Sequence, residues 1–172
     1  MMQQIFSIEK LELIANDIRE DIIKMLEEAG SGHPGGSLGQ ADIYTALYFN
    51  LMKHNPKNPD WSERDILITS NGHTCPVRYT AMAHAGYFDR KELMTLRKFD
   101  SRLQGHPERT KLPGLENTSG PLGSGLSQAA GMAQMAFAAT MREKASLLGK
   151  GRTAALQGPL AMKLADAAAP AP

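Results

Sequence analysis

The predicted fold of this chain is decided by the stretch Asp65-Ile66-Leu67-Ile68-Thr69-Ser70-Asn71-Gly72-His73. Its first half is a short apolar and β-branched run, which is typical of a buried strand. The run ends in a polar turn, and His73 follows directly after that turn. Because α/β folds bind ligands just beyond the carboxyl ends of their strands, His73 is a candidate ligand-binding residue.

Helical patterns lie on both sides of this strand. Apolar residues repeat at helical spacing from Ser7 to Ala29, and Gly30 is placed to end that helix. The other predicted helices cover residues 41–52, 76–85, 89–96 and 124–141. Their expected apolar faces include Ile43, Leu47 and Leu51 in the first and Leu126, Ala130, Ala133 and Phe137 in the last. One strand among many helices predicts an α/β fold. Because a single strand cannot make a sheet, either further strands are hidden in the pattern or the chain is incomplete, and the alanine-rich stretch 149–172 favours the second.

The composition excludes several classes of protein. The 172 residues are 42% hydrophobic and 22% charged, which is typical of a soluble globular domain. A formal net charge of +1 argues against nucleic acid as a partner. The start of the chain has no signal-peptide pattern and no run is long enough to cross a membrane, so a cytoplasmic protein is expected. The one cysteine, Cys75, excludes an internal disulfide and a cysteine-based metal cluster.

Three glycine-rich stretches place accessible backbone beside possible proton-transfer groups. They are Ser31-Gly32-His33-Pro34-Gly35-Gly36-Ser37-Leu38-Gly39, Gly105-His106-Pro107-Glu108 and Gly120-Pro121-Leu122-Gly123-Ser124-Gly125. Glycine lets main-chain N–H groups approach a ligand closely, and histidine exchanges protons near neutral pH. His106 lies within residues 97–119, a long aperiodic segment of the kind that often serves a site. The three stretches together predict one active site.

The order of these motifs, together with Asn55-Pro56-Lys57-Asn58-Pro59-Asp60-Trp61 and Ser70-Asn71-Gly72-His73, resembles the N-terminal, pyrophosphate-binding part of transketolases. The resemblance runs from about Ile8 to Met141 and is strongest to the separately encoded N-terminal subunit. It implies that residues 1–141 are the N-terminal part of a thiamine diphosphate-binding domain, with a parallel sheet and flanking helices. It also implies transfer of a two-carbon ketol unit between sugar phosphates. The implied partner is a C-terminal subunit, with the pair forming a homo-oligomer.

The resemblance also implies a role for each motif residue. His33 is similar to the histidine that handles protons on substrate oxygens, and His106 to the one that hydrogen-bonds the C1 hydroxyl of the donor sugar. His73 resembles the histidine that reaches the diphosphate. Gly120 and Leu122 would contact the aminopyrimidine through main-chain atoms.

One family motif is missing from the sequence. Transketolases carry Gly-Asp-Gly and then an asparagine after the helix that ends here near Met141, and these residues coordinate magnesium. This chain has Arg142-Glu143-Lys144-Ala145-Ser146-Leu147-Leu148-Gly149-Lys150 there. The magnesium ligands are therefore expected to be absent from this chain, and residues 142–172 to form a divergent, alanine-rich tail of a truncated or frame-shifted product.

Alternatives remain for the function and for several residues. The chain is also consistent with an inactive remnant or non-catalytic docking subunit, with a generic phosphate-binding module, and with the related enzyme that makes deoxyxylulose phosphate. His54 and His84 are expected to be solvated or packing residues, and Cys75 a small buried filler rather than a low-pKa thiol. The cations of the aperiodic segment either attract sugar phosphates or are simply solvated: Arg97, Lys98, Arg102, Arg109 and Lys111.

Overall fold

A computed structural model describes residues 5–149 of the chain. Five α-helices lie in this range: α1 (Ile8–Ala29), α2 (Pro34–Gly39), α3 (Ala41–Ala46), α4 (Cys75–His84) and α5 (Ser124–Gly149). A π-helical turn, Leu47–Leu51, continues α3, and 3₁₀ turns cover Gly72–Thr74 and Arg90–Thr95. The chain divides after Ala129 into two compact units, and the first of them carries the predicted site.

Helix α1 has the start, the end and the buried face that its sequence predicts. The Ser7 hydroxyl accepts a hydrogen bond from the backbone N–H of Lys10, which caps the first turn. Gly30 ends the helix at φ 63°, a left-handed conformation that glycine adopts without a steric penalty. Ile18, Ile22 and Met25 are fully buried against α3 and α4.

Helix α4 is the central element of the first unit. All its residues from Cys75 to Ala83 are buried, and it packs against α1, α2 and α3. Pro76 lies in its first turn, where a missing N–H is tolerated, and Gly86 follows its end with φ 92°. The predicted helix over residues 76–85 is thereby confirmed to within one residue. Because the Gly72–Thr74 turn leads straight into α4, the position of His73 is set by this buried helix.

The helix predicted over residues 41–52 is present as α3 and its π-helical continuation, but the predicted buried face is wrong. Ile43 and Leu51 are 58% and 66% exposed, whereas Tyr44 and Tyr48 are buried. The two tyrosine rings stack with centroids 6.3 Å apart. Each aromatic ring buries more apolar surface than an aliphatic side chain, so the tyrosines determine which face packs inward.

The strand predicted at residues 66–69 is not found in the structure. Residues 5–149 contain no strand, so the structure does not show the expected parallel sheet. Ile66 is 50% exposed, and of residues 66–69 only Thr69 is buried. A strand exists only when a neighbouring strand pairs with its backbone, and here the side chain of Asn117 pairs with Thr69 instead.

Helix α5 extends further than its sequence predicts. It continues through residues 141 and 142 to Gly149, so the boundary proposed there is not marked by a change in secondary structure. Leu126 and Phe137, which belong to its predicted apolar face, are 76% and 66% exposed. The rest of the proposed tail, residues 150–172, lies outside the described residues. Among the described helices, none combines the length and apolar character needed to cross a bilayer.

Candidate functional site

Two of the three predicted site histidines are in direct contact. His33 precedes α2, and its carbonyl oxygen accepts a hydrogen bond of 2.9 Å from the buried Ser37 hydroxyl. His73 lies in the 3₁₀ turn before α4, where Thr74 closes the turn by donating to the Asn71 carbonyl. The imidazole centroids of His33 and His73 are 5.3 Å apart with an edge-to-face orientation. Two residues that are forty positions apart in sequence therefore share one site.

His106 is exposed on the aperiodic segment, and the charges of His33 and His73 act on its imidazole. The backbone next to it is held by α4: the Tyr79 hydroxyl donates to the Gln104 carbonyl at 2.9 Å, and the Cys75 thiol donates to the Gly105 carbonyl at 3.2 Å. Partial desolvation lowers the pKa of His106, and the charges of Arg97, His73 and His33 lower it further. The neutral imidazole is thus favoured near pH 7.

The third glycine-rich stretch packs beside the His73 turn. A Cβ on Gly72 would lie 2.7 Å from the carbonyl carbon of Ser119, so only glycine allows this approach. The N–H of Ser119 donates to the Pro107 carbonyl at 3.1 Å and connects this stretch to the His106 segment. Gly120 is half-buried, and a Cβ built on it meets no atom within 4 Å. The backbone at Gly120 therefore borders open space, and the Leu122 side chain is 72% exposed.

Ser70 fixes the start of α5 against the same turn. Its carbonyl accepts from the N–H of Gly123 at 3.2 Å, and its hydroxyl accepts from the N–H of Gly125 at 3.2 Å. A Cβ on Gly125 would lie 2.7 Å from the Ser70 Cα, so the two backbones touch. Ser70, just before the Gly72–Thr74 turn, thus holds the third glycine-rich stretch, and Cys75, just after that turn, holds the second.

A buried polar network centred on Thr69 supports this arrangement. Asn117 accepts from the Thr69 N–H at 3.1 Å and donates to the Thr69 carbonyl at 2.9 Å. The fully buried Arg78 donates to the Thr69 hydroxyl at 2.8 Å and to the Gly114 carbonyl at 3.3 Å. Sequence reasoning missed Asn117 and Arg78, because nothing in the local pattern around either residue indicates a partner so far along the chain.

The five cations of the aperiodic segment do not form one cluster. Lys98 pairs with Glu28, and Arg102 pairs through two hydrogen bonds of 2.8 Å with Glu92. Arg97 instead donates to the Ser31 hydroxyl at 3.1 Å. Lys98 and Arg102 thus form ion pairs with carboxylates, whereas Arg97 contacts the segment that carries His33.

The residues predicted to be structural are packed as expected. His54 donates from Nε2 to the Tyr48 carbonyl at 2.6 Å, and its Nδ1 accepts from the Tyr87 hydroxyl at 3.1 Å. His84 bonds to Asp21 at 2.7 Å. Burial raises the pKa of the Cys75 thiol to about 12, so this residue is a buried filler and not an activated thiol.

The described residues contain no group of three or more His, Cys, Asp and Glu side chains arranged to hold a metal ion. The three site histidines therefore do not form a metal centre in this geometry. A cluster of imidazoles and a guanidinium instead suits an anionic ligand and proton transfer.

Comparisons with known proteins agree with this geometry. Residues 10–153 match the family described as transketolase, thiamine diphosphate binding domain. The transketolase of Buchnera aphidicola is 46% identical over 121 residues, which are 70% of this chain and 18% of that protein. The chloroplastic transketolase of Zea mays is 45% identical over 127 residues, or 73% of this chain and 19% of that protein.

Solved structures give the same result. The transketolase from Leishmania mexicana superposes with a TM-score of 0.70 at 40% identity, covering 76% of this chain and 19% of that one. The transketolase from Campylobacter jejuni gives 0.68 at 41% identity over 74% of this chain and 20% of that one. The chain spans about a fifth of the length of the curated relatives it matches. By sequence, structure and motif order, this chain belongs to the transketolase family and corresponds to its N-terminal, thiamine diphosphate-binding part.

Proposed function

We propose that this chain supplies the thiamine diphosphate-binding surface of a transketolase that moves a two-carbon ketol unit between sugar phosphates. A C-terminal subunit would provide the remainder of the enzyme, and the pair would form a homo-oligomer. The observation that carries this proposal is the convergence of His33, His73 and His106 beside the open backbone at Gly120.

The residues of the site suit the cofactor. The guanidinium of Arg97 carries a positive charge that acts on His106, and this charge favours a diphosphate nearby. Gly120 offers main-chain atoms beside space that no side chain fills, as contact with a flat ring requires. The Ser119 hydroxyl next to it is buried without a hydrogen-bond partner, which leaves a polar atom available at the same edge.

Each site residue then has a distinct task. When bound, thiamine diphosphate supplies the carbanion chemistry, while the protein binds, orients and protonates. His33 exchanges protons with oxygens of the substrate, and His106, favoured in its neutral form, hydrogen-bonds the C1 hydroxyl of the donor sugar. His73 contacts the diphosphate. Gly120 and Leu122 hold the aminopyrimidine through main-chain atoms.

The proposal extends to magnesium and to the sheet. The described residues do not fit a magnesium ion, because they offer no suitable group of ligands and the sequence lacks Gly-Asp-Gly. We expect cofactor binding by this chain to depend little on magnesium. We also expect residues 66–69 to become a strand of the parallel sheet once neighbouring strands are present, since their composition favours that structure.

Titration calorimetry with thiamine diphosphate, with and without magnesium, tests the proposal. Gly120→Ala is the informative variant, because the free chain has room for the added methyl group but a bound ring would occupy that room. It should weaken binding at least about tenfold, equivalent to about 1.4 kcal/mol. Gly131→Ala is the matched control, since its Cβ also meets nothing within 4 Å and it lies outside the three glycine-rich stretches.

Equal affinities of the Gly120→Ala and Gly131→Ala variants would refute the placement of the cofactor. A binding curve that tightens strongly with magnesium would refute the expected independence from the metal. Each result is obtained without measuring turnover, so the binding site is tested separately from the reaction.

A second candidate function is favoured by one sequence observation. Residues 142–150 replace the Gly-Asp-Gly segment, which suits a subunit that docks on a C-terminal partner and contributes surface without turnover. Ketol transfer measured after mixing this chain with a purified transketolase C-terminal part separates the two. Transfer supports the catalytic role, and its absence despite complex formation supports the docking role.

A further inference from the structure

Arg97 combines an unusual backbone with a position between two site segments. Its φ is 62°, in the left-handed region, and Asp100 is the other described non-glycine residue with positive φ. Such a conformation persists only where the surroundings hold it, and it is enriched at functional sites. Here the Arg97 N–H donates to the Leu103 carbonyl at 3.0 Å, between the buried side chains of Leu96 and Leu103.

The guanidinium of Arg97 contacts both histidine-bearing segments. Its Nη1 donates to the Ser31 hydroxyl at 3.1 Å, two residues before His33. A Cβ on Gly105 would lie 2.8 Å from the Arg97 Nε and 3.2 Å from its Cζ, so the residue before His106 packs directly against the guanidinium. Ser31 and Gly105 therefore both contact the Arg97 side chain.

Arg97 also differs from its neighbours in its electrostatic surroundings. Lys98 and Arg102 are paired with carboxylates, whereas no described carboxylate forms an ion pair with Arg97. The groups whose charges lower the pKa of His106 are Arg97, His73 and His33. The carboxylate of Glu108, two residues further on, is occupied by hydrogen bonds from Thr110 and Thr118. These bonds favour the charged form of Glu108, but this carboxylate forms no ion pair with Arg97.

We propose that Arg97 is a positioning residue of this site, whose guanidinium joins the Ser31 segment to the Gly105 segment and so sets His33 and His106 relative to each other. The inference rests on the proposed function only for the identity of the ligand. The arrangement itself belongs to the free chain and is measurable there.

Histidine NMR titration of the full chain tests this inference. In Arg97→Gln the loss of the charge should raise the pKa of His106 toward its ordinary value. Only desolvation and the other two imidazoles would then still lower this pKa. The backbone ¹⁵N order parameters of Gly32 and His33 should fall, because the bond that holds the neighbouring Ser31 is lost. Arg97→Lys keeps the charge but not the planar fork, so it should leave the His106 pKa lowered and still reduce those order parameters.

Two further variants keep the test decisive. Arg102→Gln removes another cation of the same segment. Because Arg102 is paired with Glu92, this variant should change neither readout. Gly105→Ala should displace the guanidinium and also lower the order parameters of Gly32 and His33, which covers the case of an unstable Arg97 variant. The inference is overturned if Arg97→Gln leaves both readouts unchanged, or if Arg102→Gln produces the same changes. Failure to bind thiamine diphosphate would refute the proposed function and leave this result intact.

Discussion

Asn117→Ala removes the side chain that takes the place of a strand partner for Thr69. Asn117 is 3% exposed, and its carboxamide satisfies both the N–H and the carbonyl of Thr69, which is also 3% exposed. Leaving a buried polar group unpaired costs about 1–3 kcal/mol. Two such groups, relieved in part by water entering the vacated space, predict a loss of about 2–4 kcal/mol in the free energy of unfolding.

Urea unfolding followed by circular dichroism measures this loss. In a chain of this size 1 kcal/mol corresponds to about 2–4 °C, so the Tm should fall by about 4–16 °C. Asn50→Ala is a matched comparison, because Asn50 makes the same pair of hydrogen bonds to the backbone of Phe6 at 2.9 and 3.1 Å. Both of those residues are only half-buried, so water can replace the lost bonds and the cost should be about 0.5–1.5 kcal/mol.

Asn16→Ala completes the series. Asn16 is exposed and accepts a single bond of 3.3 Å from Arg19, so its loss should change stability by less than about 0.5 kcal/mol. The reasoning is wrong if Asn117→Ala costs no more than Asn50→Ala, since burial of the orphaned backbone groups is the cause on which the difference depends.

Two further predictions concern Gly72 and Cys75. Gly72→Ala should destabilise the chain by about 1–3 kcal/mol in urea unfolding, because its Cβ would meet backbone atoms of Ser119 at 2.7 Å. Gly131→Ala on α5 is the control and should be neutral or stabilising, since its Cβ meets nothing within 4 Å. Equal losses of stability in the two variants would contradict the argument. Burial raises the pKa of Cys75 from 9.0 to about 12, so between these values the unfolded state alone loses the proton and stability should fall by up to about 1.4 kcal/mol per pH unit. Cys75→Ala should remove that part of the slope, and an alkaline stability profile identical to that of the unchanged chain would refute the assignment.

Much of the helical structure was predictable from local patterns. In α1 the apolar spacing, the Ser7 cap and Gly30 all act within a few residues of one another, so the sequence alone contains the cause. Pro76 and Gly86 frame α4 for the same reason. The pattern was insufficient where burial depends on distant partners: Tyr44 and Tyr48 displaced Ile43 and Leu51 from the core face.

The segment at residues 66–69 shows the same limit for strands. Its composition favours extended structure, but a strand needs a neighbouring backbone, and the first unit presents the Asn117 side chain instead. The strand prediction is therefore not met in the described residues, because no neighbouring backbone pairs with residues 66–69.

The candidate site residues came from the sequence by itself: three glycine-rich motifs contain His33, His106 and Gly120, and the separate turn Ser70-Asn71-Gly72-His73 contains His73. Tertiary structure decided the rest. The contact between His33 and His73, and the selection of Arg97 from a run of cations, depend on chain segments that lie 40 and 66 positions apart. Local sequence encodes backbone preference, whereas side-chain pairing and burial are set by which distant segments the core brings together.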